Sequence, residues 1–286
     1  MSSSLENRLK SVFLTAFVTY GVLLTIAGIY LLSQGENRSL WLGVTVAAAT
    51  VSFYFARLYL VRVPRTSPGL MGFSIGIFGT VMYTIYQSYT CQIPSAAPIL
   101  GMIVIAGWAA YVAWYSDLGD RSKEKIKEGK KLANIRLEDY DGNEVTVNDW
   151  KGQKRLVIFY RGNWCPICTA QVKELADFEK DFNDLGVRIT LISPQSHQKS
   201  KNHAKRVGME YDFLVDVDNR AAKALGILQE GGLPAGFQAI GYETDVPKPT
   251  TFVLDETGTV VFADLTTNYR LRTQPQDIIK ALQSTV

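Results

Sequence analysis

Histidine and cysteine are scarce in this chain: two and three among 286 residues. The scarcity argues against a metal centre, because a structural zinc site draws four ligands from those residue types. Cys165 and Cys168 make one Cys-x-x-Cys pair, and neither His197 nor His203 stands at a ligand spacing from it. Covalent haem attachment needs a histidine directly after the second cysteine, where Thr169 stands instead. No metal and no separate cofactor is therefore expected, and both histidines read as solvated surface residues.

Charge is missing from a whole region. Thr66–Ser116 contains no charged residue, and residues 1–116 hold six Lys/Arg and two Asp/Glu. Residues 117–286 hold the other 24 Lys/Arg and 25 Asp/Glu, so a net charge of +3 hides an apolar, basic N-terminal part. The basic residues do not cluster with aromatics on one face, so no nucleic-acid partner is expected. The apolar part reads as an all-α four-helix transmembrane domain, residues 1–116, with spans at about 11–32, 40–61, 69–87 and 98–115. The first alone would be about 33 Å long as a helix, enough to cross a hydrocarbon core of about 30 Å. A cleaved signal peptide would account for the first span only, and no small-residue cleavage site follows Leu32.

Lys and Arg in short loops set orientation. Arg8 and Lys10 precede the first span, Arg57, Arg62 and Arg65 flank the second loop, and six basic residues from Arg121 to Lys131 follow the last span. This places the protein in an inner or plasma membrane with both termini and the C-terminal domain cytoplasmic. Gly69, Gly72, Gly76 and Gly79 share one helical face and are expected to pack within the bundle rather than against a second copy. Nothing in the sequence specifies the oligomeric state. Cys91, near the end of the third span, reads as an idle thiol, since a relay across the membrane would need a pair.

The soluble part divides into a charged linker, residues 117–131, read as a helical extension, and a domain over 132–286. That domain alternates strands and helices. A hairpin over Ile135–Val147 turns at Asp141-Gly142, and apolar strands follow at Arg155–Tyr160, Val187–Ile192 and Phe213–Val215. Helical patterns cover Ala170–Phe182, Ser196–Val207 and Ala221–Leu225. A second hairpin, Thr250–Leu254 and Thr259–Ala263, precedes a final helix at Pro275–Leu282. Phe159-Tyr160-Arg161-Gly162-Asn163-Trp164-Cys165-Pro166-Ile167-Cys168 sits at a strand-to-helix junction. There the unpaired N–H groups and the helix dipole favour a thiolate, the nucleophilic form of the thiol. The residues point to a redox-active dithiol, with Pro166 shaping the first turn and Trp164 packing over the pair.

This order resembles the thioredoxin-like fold, a central mixed sheet flanked by helices. The Cys motif, Asp141-Gly142 and Pro249-Thr250-Thr251-Phe252-Val253-Leu254-Asp255 are similar to the peroxiredoxin-like (alkyl hydroperoxide reductase/thiol-specific antioxidant, redoxin) family. The resemblance implies two competing chemistries. In the thioredoxin manner Cys165 is the exposed attacking thiolate, Cys168 resolves, and Pro249 faces the dithiol through a cis Lys248–Pro249 bond with Thr250 beside it. In the peroxiredoxin manner the peroxide-attacking thiol is Cys168. The family's threonine is then replaced by Cys165, its first motif proline by Arg161 and its later arginine by Pro249, so Arg161 or Arg270 would have to supply positive charge. The leading expectation is a membrane-anchored thiol-disulfide oxidoreductase. A membrane-tethered peroxidase for hydrogen peroxide or organic and lipid hydroperoxides is the alternative, and a redox sensor a third. Expected partners are a disulfide-bearing protein or a peroxide, an external thiol reductant and the lipid bilayer. The long loop Gly226–Val246 should border the dithiol, with Asp264–Arg272, including Tyr269, as a second rim.

Overall fold

Apolar runs of this length leave the backbone one way to satisfy its own hydrogen bonds, and the N-terminal part is accordingly all-helical. A computed structural model of the chain describes residues 3–35 and 37–283. Its first helices are Ser3–Gln34 (α1), Arg38–Leu60 (α2), Met71–Cys91 (α3) and Ala97–Ala109 (α4), the last continuing as a π-helical stretch over Ala110–Tyr115. Among the described residues, those of Lys10–Arg62 and Thr66–Asp117 form one compact unit; residues 118–283, with Val63–Arg65 and residues 3–9, form another.

Among the described residues three helices, not the expected four, are long and apolar enough to span a membrane: Ser4–Gln34, Arg38–Leu60 and Ala97–Tyr115. α3 has the length, but Thr80, Thr84, Gln87, Ser88 and Thr90 make its second half too polar. With three spans, the parity argument that returned both termini to one side falls away. Part of that polarity is used inside the bundle. Thr84 donates to the Leu40 carbonyl at 3.3 Å, and Trp108 Nε1 donates to Ser74 Oγ at 3.0 Å. The glycine face of α3 also corrects its expectation, because Gly72, Gly76 and Gly79 have open space around them. Close helix approach occurs elsewhere. A Cβ on Gly43 would lie 2.4 Å from the Thr80 carbonyl oxygen, and one on Gly107 would lie 2.3 Å from Phe17 Cε2. Buried aromatics fill the interior, where Tyr54 and Tyr111 share a 3.0 Å hydroxyl contact and Trp108 lies edge-on to Tyr54 at 5.2 Å.

The second unit is built on a mixed sheet. Its elements are Arg136–Asp139 (β1), Glu144–Thr146 (β2), Lys154–Phe159 (β3), Pro166–Ala176 (α5), Glu179–Asp184 (α6), Val187–Ser193 (β4), His197–Val207 (α7), Asp212–Val215 (β5), Arg220–Leu225 (α8), Leu228–Gln229 (β6), Val246–Pro247 (β7), Thr250–Leu254 (β8), Val260–Asp264 (β9) and Pro275–Gln283 (α9). Seven strands form one sheet in the order β2-β1-β5-β4-β3-β8-β9, with β3, β4 and β5 parallel and the other pairings antiparallel. The single helical run read over Ala170–Phe182 is two helices, starting earlier and breaking at Asp177–Phe178.

Central β3 is apolar because both of its faces are covered. Leu156, Val157, Ile158 and Phe159 are all buried, each contributing about 1.5–3 kcal/mol of apolar transfer. Its register against β4 runs from Lys154↔Val187 to Phe159↔Ile192. That register brings the C-terminal end of β3, and the Cys motif after it, level with the C-terminal end of β4.

The segment after Asp117 is neither helical nor loose. Ile126 and the charged Arg121 and Glu124 are buried, and Gly129 N–H donates to the Val260 carbonyl at 2.9 Å. Arg121 and Glu124 are spent on internal partners, described below, while the lysines of the segment stay exposed.

Candidate active site

β3 hands the chain to α5 through a five-residue passage from Tyr160 to Trp164. Tyr160 N–H extends the pairing with β4 by donating to the Ile192 carbonyl at 2.9 Å. Gly162 then turns at φ +135°, where a Cβ would lie 2.8 Å from Cδ1 and Nε1 of Trp164. Only glycine lets the indole fold back over the turn and donate to the Arg161 carbonyl at 3.1 Å. Cys165 is the N-cap of α5, Pro166 opens the helix and Cys168 is the third helical residue. N-cap and third positions face each other across the first turn, the relation a capping box exploits. Here both positions carry sulfur.

The two thiols are 2 % and 1 % exposed, which corrects the expectation of an exposed Cys165. They are also unequal. Burial on its own would push the Cys168 thiol up. The hydrogen bond from Cys165, the Arg272 guanidinium, the Arg161 backbone N–H and the Arg161 guanidinium outweigh burial and hold the thiol at about 6. Cys165 is pushed well above the ordinary thiol range by its hydrogen bond to Cys168, by burial and by the charge on Cys168. Both directions favour ionisation of Cys168 over Cys165.

Two buried arginines set that balance. Arg161 donates to the Gly232 carbonyl at 2.6 Å and to Gln229 Oε1 at 3.2 Å, and its guanidinium lies 5.5 Å from the Trp164 ring and 5.7 Å from that of Tyr269. Arg272 donates from Nη1 to the Leu271 carbonyl, whereas its buried Nε and Nη2 meet no hydrogen-bond acceptor. The sequence flagged Arg161 and Arg270 but not Arg272. Arg270 is fully buried, and its backbone N–H is held by Asn268 Oδ1 at 3.0 Å.

The predicted rims are placed as follows. Phe237 of the 226–246 segment lies 5.4 Å from the Trp164 ring, and Tyr242 donates to Asn163 Oδ1 at 2.5 Å. The segment carries structure of its own, with β6 paired to β7 and a 3₁₀ turn at Phe237–Ile240. Pro249 and Thr250 are buried, and the Lys248–Pro249 bond is trans, as X-Pro bonds are by default, against the expected cis. Arg121 holds this corner, donating to the Pro249 carbonyl at 2.9 Å and to Thr250 Oγ1 at 2.5 Å while Glu124 pairs with its Nε at 2.8 Å. The Thr250 hydroxyl donates onward to the Lys248 carbonyl at 2.9 Å, so it is committed to this clamp.

Behind the dithiol, the Tyr160 hydroxyl meets His203 Nδ1 at 3.1 Å and accepts from Gln195 Nε2 at 3.0 Å. His203 is thus a buried residue, not a surface one, and burial holds it down at about 4, so it is neutral at neutral pH. Its place at the sheet-facing side of α7, against Phe213, was the available signal. His197 meets Glu138 Oε2 at 2.8 Å at the surface, and Cys91 is exposed in the helical unit.

A thiolate at the start of a helix, at the end of the central strand of a mixed sheet, defines a thiol oxidoreductase of thioredoxin-like fold. The sequence model of the AhpC/TSA family matches residues 129–263. A Mycobacterium tuberculosis protein provisionally named a peroxiredoxin is 30% identical over 139 residues, 49% of this chain and 85% of that protein. The chain belongs to the AhpC/TSA, or peroxiredoxin, family through this domain. The chloroplastic peroxiredoxin Q of Gentiana triflora is 29% identical over 164 residues, 56% of this chain and 68% of its own. The thiol-disulfide oxidoreductase ResA of Bacillus subtilis is 27% identical over 164 residues, 57% of this chain and 78% of its own. Among solved structures, the peroxidoxin BcpB of M. tuberculosis is 19% identical, covers 56% of this chain and 99% of its own, and superposes with a TM-score of 0.46.

Proposed function

We propose that this protein is a membrane-tethered thiol peroxidase in which Cys168 attacks the peroxide and Cys165 resolves it. The observation that carries the reading is the pair of fully buried thiols at the start of α5, where the Arg272 and Arg161 charges favour ionisation of Cys168. Its sulfur attacks one peroxide oxygen, the O–O bond breaks, and the peroxide is reduced to an alcohol or water as Cys168 becomes a sulfenic acid. Cys165 sulfur then displaces the sulfenic oxygen as water and a disulfide forms. An external thiol returns both sulfurs to the reduced state by exchange. Burial supports the same choice, because a small peroxide can enter where the bulk around a protein disulfide cannot.

Arg272 takes the place of the positive charge that the sequence sought at Arg161 or Arg270. Its two buried donors without an acceptor are free to hydrogen-bond a peroxide, and negative charge developing on the leaving oxygen would be stabilised there. The basic residues after the last span support a cytoplasm-facing domain near the inner or plasma membrane, and labelling of cysteines in intact cells tests that side. The function itself is tested by mixing the reduced full-length protein in detergent with hydrogen peroxide or cumene hydroperoxide and following Trp164 fluorescence. A second-order constant far above that of a free thiol is expected. A free-thiol rate would return the protein to thiol-disulfide exchange, the activity named for ResA.

A further inference from the structure

The segment that follows the last span sorts its side chains by face. Arg121, Glu124 and Ile126 turn inward and are buried, while Lys123, Lys125, Lys127, Lys130 and Lys131 are all exposed. The inward charges are engaged, Arg121 with Pro249, Thr250 and Thr266, and Glu124 with Arg121 and Lys248. Of the exposed carboxylates, Asp120 accepts from the Ser122 N–H and hydroxyl at 2.8 Å, and Glu128 accepts from the Ala263 N–H at 3.0 Å. None of the five lysine ammonium groups has a hydrogen bond or ion pair among the described residues. Five lysines against two carboxylates leave a net charge of +3 on the outer face.

Backbone bonds, not those lysines, fix the segment along the sheet. At one end the Leu118 N–H donates to the Thr267 carbonyl at 2.7 Å, and Arg121 reaches Thr250, the register partner of Phe159 at the dithiol end of β3. Midway, the Lys125 N–H donates to the Leu225 carbonyl at 3.0 Å. At the other end the Gly129 N–H and the Lys130 carbonyl both bond Val260 at 2.9 Å, and Lys131 bridges to Thr259. Val260 is level with Leu254, and Leu254 with Arg155 near the start of β3. The lysines therefore form a row beside β9, the edge strand, that runs from the dithiol end of the domain to the opposite end.

We propose that this lysine row is a docking surface for anionic lipid headgroups, and that it holds the redox domain down on the bilayer its N-terminal helices enter. The inference rests on the membrane tether and not on the choice of thiol chemistry. Lys123 follows Tyr115, the end of the last apolar helix, by eight residues. A fully extended chain covers at most about 3.5 Å per residue, so Lys123 stays within about 28 Å of that end. Basic clusters so close to a span are drawn to the negative surface potential of a bilayer. The tether also makes the encounter intramolecular, so an acidic protein in solution would have to displace a surface that is always within reach. Contact along the whole row keeps the β9 edge at headgroup level, with the Cys motif two strands away from it.

The test uses the full-length protein in nanodiscs of phosphatidylcholine alone, and in discs where phosphatidylglycerol replaces a third of it. Acetylation of each lysine by acetic anhydride is followed by mass spectrometry. The five lysines should react about threefold or more slowly in the anionic discs, and about 1 M salt should abolish the difference. Lys205 should react equally in both, because it is exposed on α7, which packs on β5 rather than at the β9 edge. Lys123→Glu, Lys125→Glu and Lys127→Glu together change only exposed side chains, and should return Lys130 and Lys131 to the rate seen in phosphatidylcholine. Equal rates for the row in both discs, equal slowing of Lys205, or protection that survives the triple substitution would overturn the proposal. A chain that leaves the discs once detergent is removed would overturn the tether and this inference together.

Discussion

The two ends of the β3–β4 pair treat arginine in opposite ways. At the N-terminal end Arg155 and Arg188 share one carboxylate, with Arg155 2.5 Å and Arg188 2.7 Å from Asp212, and Arg155 also donates to Thr190 Oγ1 at 2.9 Å. At the C-terminal end Arg272 is spared such an arrangement, and the charge it acts on is a sulfur that can be protonated or oxidised. In the first cluster both arginines are tied to a fixed carboxylate, so it holds strands together. The second has a counter-charge only while Cys168 is a thiolate, so the state of one atom decides its energy. A buried cation is structural or functional according to whether its counter-charge can change.

Breaking the functional end should have the largest effect. Cys168→Ser should lower the rate of peroxide-driven fluorescence change about a thousandfold or more, to background, because an alcohol is not ionised there. Arg272→Met comes next. It should move the midpoint of Cys168 thiolate formation from about 6 to about 7 or above, and slow peroxide reduction about ten- to a hundredfold. Thiolate absorbance titration and stopped-flow rates measure both.

Acidity probes the same contact without mutation. The thiolate is the reactive form, so the rate should be flat above neutrality and fall about tenfold for each pH step of one below about 6. A profile rising instead through pH 8 to 9 would mean that Arg272 does not act on the thiol. The structural end sharpens the contrast. Arg155→Met should cost about 2 kcal/mol of stability, between the values for exposed and buried pairs, while leaving the pH midpoint of Cys168 in place. Phe237→Ala should change the peroxide rate least, about two- to threefold, and more for cumene hydroperoxide than for hydrogen peroxide, since its ring borders Trp164 rather than a sulfur.

Local pattern carried most of the fold into the sequence. Apolar strands bounded by turn residues gave β3, β4 and β8, and a Cys-x-x-Cys after an apolar strand marked the helix start. What stayed hidden depends on distant partners. Which thiol holds the charge is decided by Arg272, contributed by the far end of the domain, and nothing near Cys168 announces it. Arg121 and Glu124 looked like a solvated linker because composition does not reveal that a charged side chain has a buried partner. His203 sat in a polar run whose inward face packs on Phe213 and Tyr160. The overcount of spans has a different origin, since α3 is free of charge yet rich in hydroxyl and amide groups, and freedom from charge is a weaker property than apolarity.

The burial of both sulfurs has a consequence for recycling. A disulfide closed within the first turn of α5 offers an incoming protein reductant no exposed sulfur to approach. Regeneration must then await fraying of that turn, which the Thr169 N–H to Cys165 carbonyl bond at 3.0 Å resists. Protection of the Thr169 amide against deuterium uptake becomes a gauge of catalytic recovery: agents that loosen it should speed re-reduction while leaving the oxidation rate alone.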